Sequence, residues 1–258
     1  MTIHPTAIVD PAAKVPLSCS IGAYSVIGAG VELGENCQVH SHVVIGGPSK
    51  FGAENQIFSF AAVGGDPQDV TYGGEPTRLE IGDRNVIREY VTIHRGTVKG
   101  GGITRIGSDT FIMAYAHVAH DCVVGDHAML VNGVTLGGHV TVDEWAVIGA
   151  LSGVHQYVRV GAHAYIGGNT TITQDVLPYS MTSAERDVHA YMLNKVGLQR
   201  RGFSAERIKH LHHAFKVLLS SKLNTSQALE KLRAEGNLGE DVEMLVRFIE
   251  TSQRGVIK

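Results

Sequence analysis

IGSDTFIMAYAHVAHDCVVGDHAML (residues 106–130) places a branched or bulky apolar residue at every sixth position: Ile106, Ile112, Val118, Val124 and Leu130. Downstream the same period runs through Leu136, Val142, Ile148, Val154, Val160, Ile166 and Ile172. Upstream it runs from Ile3 through Val9, Val15, Ile21 and Ile27 to Phe51, Ile57 and Val63, and resumes at Ile81, Ile87 and Ile93. A small residue often sits four places on, as at Cys19, Ser25, Ala61, Ala116, Cys122 and Ser152. Neither a strand period of 2 nor a helix period of 3.6 gives this pattern. A fixed hexapeptide repeat is the mark of a β-solenoid, whose narrow core each coil fills with its own apolar residues. The expected fold is therefore an all-β solenoid, a parallel β-helix over 1–180. A small α-helical C-terminal domain over 181–258 follows it.

Composition agrees. Aromatics are 6% of 258 residues, fitting a narrow core of Val, Ile and Ala. Cys19, Cys37 and Cys122 all fall on one repeat slot, so they read as small core filler and not as a disulfide framework or metal cluster. The repeat begins at Ile3, leaving no room for a signal peptide, and no apolar run is long enough to span a membrane. A cytoplasmic location is expected. Charge is segregated: residues 1–185 carry 9 Lys and Arg against 17 Asp and Glu, and residues 186–258 carry 13 against 8. A basic tail suits either a solvated helical surface or an acidic partner. It has no nucleic-acid motif, and nucleic acid is not expected as a partner.

Two Gly-rich insertions, 64–80 and 98–104, interrupt the count and are expected as surface loops on the working face. Beyond Pro178 the spacing turns helical. Ser204 is expected to cap a helix carrying Ile208, Leu211, Phe215 and Leu218, and Thr225 a second with Ala228 and Leu232. Gly236 and Gly239 precede a third, with Val242, Leu245, Val246 and Ile249.

The repeat also sorts the histidines. With three hexapeptides per coil, a triangular section taken from fold analogy, residues 18 apart stack at roughly 4.8 Å. Gly138 then lies above His120, and Gln156 above Gly138. His139 and His155 occupy neighbouring slots. Counting across the insertions puts His94 one coil below, with the long loop beneath it, and His117 at the end of the preceding face. Converging imidazoles suit general-base catalysis at neutral pH, or a zinc site of His ligands. Gly138, without a side chain, could let a carbonyl approach and present its N–H to an oxyanion. A turn glycine is the bland alternative.

GGEPTRLEIGDRNVIRE (73–89), TIHRGT (92–97), AYAHVAHDC (114–122), VHQ (154–156) and QRRGFS (199–204) closely resemble the UDP-N-acetylglucosamine O-acyltransferases of lipid A synthesis, within the hexapeptide-repeat transferases. The likeness extends over essentially the whole chain. It implies a left-handed helix, a homotrimer with sites between subunits, and transfer of a 3-hydroxyacyl chain from acyl carrier protein to the sugar 3-hydroxyl. It implies no metal and no cofactor. His120 would be the general base, supported by Asp121, with Gly138 as oxyanion donor. His117, His139 and His155 would line the site, and Asp69 and His94 would contact the nucleotide sugar. Gln156, Asn194 and Arg200 would contact donor or nucleotide, and Gly168 would leave the acyl groove open. The sequence departs from relatives at Thr71, where they often carry Lys, and at Thr182-Ser183-Ala184-Glu185. A zinc hydratase of the carbonic anhydrase type and a non-catalytic solenoid are the other readings. An N-acyltransferase of the same pathway typically has a further N-terminal domain. A 3-amino sugar acceptor would give an amide.

Overall fold

The computed structural model describes residues 2–184, 188–220, 223–236 and 239–257. The hexads fold as a three-sided prism. Each hexad gives a short strand, commonly of two residues, and a turn. The strands form three parallel sheets in which every third strand in the chain is a neighbour. Residues 18 apart pair directly, as in His117↔Thr135, Val118↔Leu136 and Leu136↔Val154. The inward residues Ile27, Ile57, Ile87, Ile112, Leu130, Leu136 and Ile148 are fully buried. Side-chain burial, not strand length, holds these coils together, because a two-residue strand has too few ladder bonds to stand alone.

The count survives both insertions: Val63 pairs Ile93, and Ile93 pairs Val118. The bounds of the insertions differ from those expected: the first loop is shorter and the second begins three residues earlier. Arg78–Ile81 and Ile103–Ile106 are strands that pair over four residues, Arg78↔Ile103 to Ile81↔Ile106. Burial of Leu79, Ile103 and Thr104 draws the loop ends into the ladder. The loops proper are 66–77 and 95–102, the second containing a single 3-10 turn, Val98–Gly100.

The corners require a left-handed backbone, and non-glycine residues supply most of it. Tyr115, Asp121, His139 and Tyr157 lie at φ near +60°. Such a residue costs about 1 kcal/mol or more. Stacking along each corner offsets it: Tyr24, His42, Phe60, Tyr90 and Tyr115 form a continuous ladder of rings about 5 Å apart.

Past the last hexad the chain forms a hairpin, Ser180–Ala184 against Val188–Leu193, whose first strand extends one sheet beside Tyr165–Ile166. Helical spacing gave no sign of it. Four helices follow: α1 (Lys195–Arg200), α2 (Ala205–Ser220), α3 (Thr225–Glu235) and α4 (Glu240–Glu250). Ser204 Oγ accepts the Arg207 N–H at 3.2 Å, as expected of the α2 cap. The α3 cap is Asn224, not Thr225. Asn224 and Gln227 form a reciprocal capping box, and its amide outcompetes the Thr225 hydroxyl for the first free N–H groups. Leu198, Leu211, Phe215, Leu218, Leu232 and Leu245 build a second core. Ile257 returns to the solenoid, pairing with Asp175 and burying itself in the last coil.

Candidate active site

His120 and Asp121 turn the corner between His117–Val118 and Val123–Val124. Asp121 is buried. Its Oδ1 accepts the Thr97 N–H at 2.8 Å, and its Oδ2 accepts the Thr97 hydroxyl at 2.6 Å. His120 Nδ1 lies 2.8 Å from the same Oδ2. The Asp121 N–H donates to Thr104 Oγ1 at 2.8 Å. A carboxylate in that position holds the proton on Nδ1 and leaves Nε2 as an acceptor.

The repeat brings Gly138 to this imidazole. A β-carbon on Gly138 would lie 2.6 Å from His120 Cε1 and 2.8 Å from Nε2. Any side chain there would displace the ring, so the glycine is more than a turn residue. Its N–H donates to no atom of the described residues, whereas the neighbouring Gly137 and His139 N–H groups are both bonded.

The other histidines close the wall. His139 stacks on Tyr157, with centroids 4.3 Å apart, and stands edge-on to His120 at 5.2 Å. Its Nε2 is 3.7 Å from Asp121 Oδ2. Burial pushes its pKa below the ordinary value. His117 lies within its strand, not at the end of the preceding face: it is the outward residue before Val118, and its Nδ1 lies 2.7 Å from Thr92 Oγ1. Burial lowers its pKa too. His94 meets His117 edge-on at 5.2 Å. Burial first, then repulsion from His117 and His120, pushes His94 down to about 4. His94 Nδ1 is buried without a partner among the described residues. Burial favours the neutral form of all three rings.

The long loop is pinned beside them. Arg95 donates from Nη1 to the carbonyls of Gly47 (2.7 Å) and Gly64 (2.9 Å), and from Nη2 to Asp66 and to the Tyr72 hydroxyl. Asp69 Oδ1 accepts both the N–H and the hydroxyl of Thr71 at 2.8 Å, which holds its carboxyl below the usual range. Lys99 donates to Thr71 Oγ1 at 2.7 Å, joining the two insertions.

His155 and Gln156 are exposed on the next coil, where the Tyr157 N–H bonds the Gly138 carbonyl. Three expected residues stand elsewhere in the single chain. Asn194 is buried: its amide donates to the His163 carbonyl at 3.0 Å and its Oδ1 caps α1 through Gly197. His163 lies on a different corner of the prism. Arg200 is exposed on α1, and Gly168 is exposed after Tyr165–Ile166. Arg201 is engaged, with Nη2 on the Trp145 carbonyl at 2.9 Å and its guanidinium over the indole.

Sequence reasoning did not single out Thr97, Lys99, Arg95 or Tyr157. Tyr157 could have been found, since it lies 18 residues above His139. The cysteines are buried and free, and burial pushes the Cys122 thiol up to about 12. Ligand atoms of His120, Asp121 and His139 lie within 4.8 Å of one another. Asp121 already accepts bonds from Thr97 and His120 there. No helix among the described residues is long and apolar enough to cross a membrane.

A family profile described as UDP N-acetylglucosamine O-acyltransferase, domain 2, matches residues 175–257. One for bacterial transferase hexapeptide repeats matches 18–47 and 103–138. The chain is 47% identical to an acyl-[acyl-carrier-protein]–UDP-N-acetylglucosamine O-acyltransferase from Herminiimonas arsenicoxydans, over 99% of each. It superimposes with a TM-score of 0.96 on the UDP-N-acetylglucosamine acyltransferase of Francisella novicida, at 41% identity, covering 99% of this chain and 94% of that one. The Moraxella catarrhalis O-acyltransferase gives 0.96 at 42% identity, covering both chains in full. The fold is the left-handed parallel β-helix with a small helical C-terminal region, and the chain belongs to the UDP-N-acetylglucosamine O-acyltransferase family.

Proposed function

We propose that the protein transfers a 3-hydroxyacyl chain from acyl carrier protein to the 3-hydroxyl of UDP-N-acetylglucosamine, the first step of lipid A biosynthesis, with His120 as general base. The observation that carries the mechanism is the pairing of a free His120 Nε2 with the unbonded N–H of Gly138 on the adjoining coil. Nε2 takes the proton of the sugar hydroxyl as its oxygen attacks the thioester carbonyl. The oxyanion of the tetrahedral intermediate faces the Gly138 N–H. Collapse breaks the C–S bond, and the proton held on His120 passes to the departing sulfur. The products are an ester and a free carrier thiol. Asp121 fixes the tautomer and supports the imidazolium. Neither metal nor cofactor has a part in these steps.

Neutral His94, His117 and His139 suit an uncharged sugar, which needs hydrogen bonds without ion pairs. His94 and Asp69 contact the nucleotide sugar. His155 and Gln156 line the donor side. Arg200, on the helix that Asn194 caps, contributes through the packing of three copies, and Gly168 leaves room for a long acyl chain. The exposed basic helical region suits an acidic carrier protein in the cytoplasm.

The test offers purified protein UDP-N-acetylglucosamine and carrier proteins bearing 3-hydroxyacyl chains, with products identified by mass. A sugar nucleotide heavier by one 3-hydroxyacyl group is expected. Product from a 3-amino sugar alone would make the activity amide formation. His120→Ala should fold normally and lose about 10²-fold or more in turnover. Turnover within a fewfold of the unaltered enzyme would remove His120 from this role.

A further inference from the structure

We infer that Lys99 is the cation that receives the diphosphate of the sugar nucleotide. This rests on the acceptor proposed above. Such an acceptor brings two adjacent anionic phosphates to a site whose nearby carboxylates are Asp66, Asp69 and Asp121, so a cation has to meet them. The two loops that frame the histidines, 66–77 and 95–102, contain two basic residues, Arg95 and Lys99. Arg95 is buried, and its guanidinium is divided among Gly47, Gly64, Asp66 and Tyr72. It anchors the long loop, and its remaining donor, Nε, is unpartnered but buried out of a ligand's reach. Lys99 is exposed. Its ammonium makes one bond, to Thr71 Oγ1, and no carboxylate oxygen of the described residues lies within 4.0 Å of it. Two of its three donors are open.

Lys99 is also held in register with the catalytic pair. It sits in the 3-10 turn Val98–Gly100, whose cap is Thr97. The Thr97 hydroxyl accepts the Gly100 N–H and donates to Asp121. A β-carbon on Gly100 would fall onto the Asp121 carboxylate, so the turn packs directly against it. On the other side, Thr71 ties Lys99 to Asp69, whose carboxyl feels both Lys99 and His120. The turn that carries Lys99 is therefore fixed against Asp121, and its ammonium is held by Thr71 beside Asp69. The same charge could meet a phosphate of the donor's phosphopantetheine arm; its place beside Asp69, on the loop side of the histidines, favours the nucleotide.

The experiment titrates the full-length protein with UDP and with UDP-N-acetylglucosamine, and measures KM for each substrate. Lys99→Gln should weaken both ligands about tenfold and flatten the salt dependence of their binding, while Lys99→Arg stays close to the unaltered protein. Thermal melting checks that each variant folds. Equal binding of UDP by K99Q and the unaltered protein would overturn the assignment, as would Arg binding as poorly as Gln. A loss confined to the KM for acyl carrier protein would overturn it in favour of the donor's phosphate. If the unaltered protein binds neither nucleotide, the acceptor reading falls, and this inference with it.

Discussion

His120 has one ring nitrogen engaged and one free, and the engagement passes through Asp121 to Thr97, a residue of the 95–102 loop. Only part of that was open to counting. His120 under Gly138 follows from 18-residue stacking, because both lie inside unbroken repeat. Thr97 and Lys99 lie where the period lapses, so no register relates them to Asp121 until the turn is seen in space. Burial of two histidines has a consequence for stability. His94 and His163 are each pushed down to about 4, in both cases mainly by burial. His163 faces Arg201 and Arg207, which lower its pKa further, and Asp241, which opposes them. Between about pH 6.5 and pH 4 the unfolded chain binds protons on these rings that the folded chain does not. Stability should therefore be full above pH 6.5 and fall as pH drops through that window. Melting temperatures measured from pH 7.5 to 4.5 should decline, and His163→Phe should make the decline shallower. An unchanged slope would show that His163 carries none of it.

Among the elements, those with a local signature were legible and those defined by their partners were not. The hexad fixes each short strand through its buried residue, and Ser204 announces α2. The hairpin after Pro178 has no period of its own, because its first strand is selected by the open edge at Tyr165–Ile166. The α3 start was misplaced by one residue because Asn224 and Thr225 are both good caps. The capping box separates them. Asn224→Ala removes the bond that its side-chain oxygen accepts from the Gln227 N–H and should cost about 1 kcal/mol, read as a lower urea midpoint, whereas Thr225→Ala should stay within about 0.5 kcal/mol.

In the whole molecule the expected site divides. His94, His117, His120, Gly138 and His139 come together in one chain, while Asn194, Arg200 and Gly168 lie away from them. We propose that association of three copies reunites them. Light scattering under assay conditions should give three times the 27.6 kDa chain mass. A mass of one subunit with full activity would leave Asn194 and Arg200 outside the site. Hexad counting gave the prism and one wall of the site. It could not give what a second chain contributes, since no intrachain register encodes it.

The left-handed corners also set a rule for change along the chain. At Asp121, His139 and Tyr157 the backbone is already bent into a region that penalises branching at the β-carbon. Glycine or asparagine can enter such a column at little conformational expense, as Gly133 and Asn169 do. Valine or isoleucine cannot. The same sequence thus reads in two alphabets, branched residues along the faces and unbranched ones at the corners. Exchange between the two alphabets, more than loss of hydrophobicity, is what would unwind a coil.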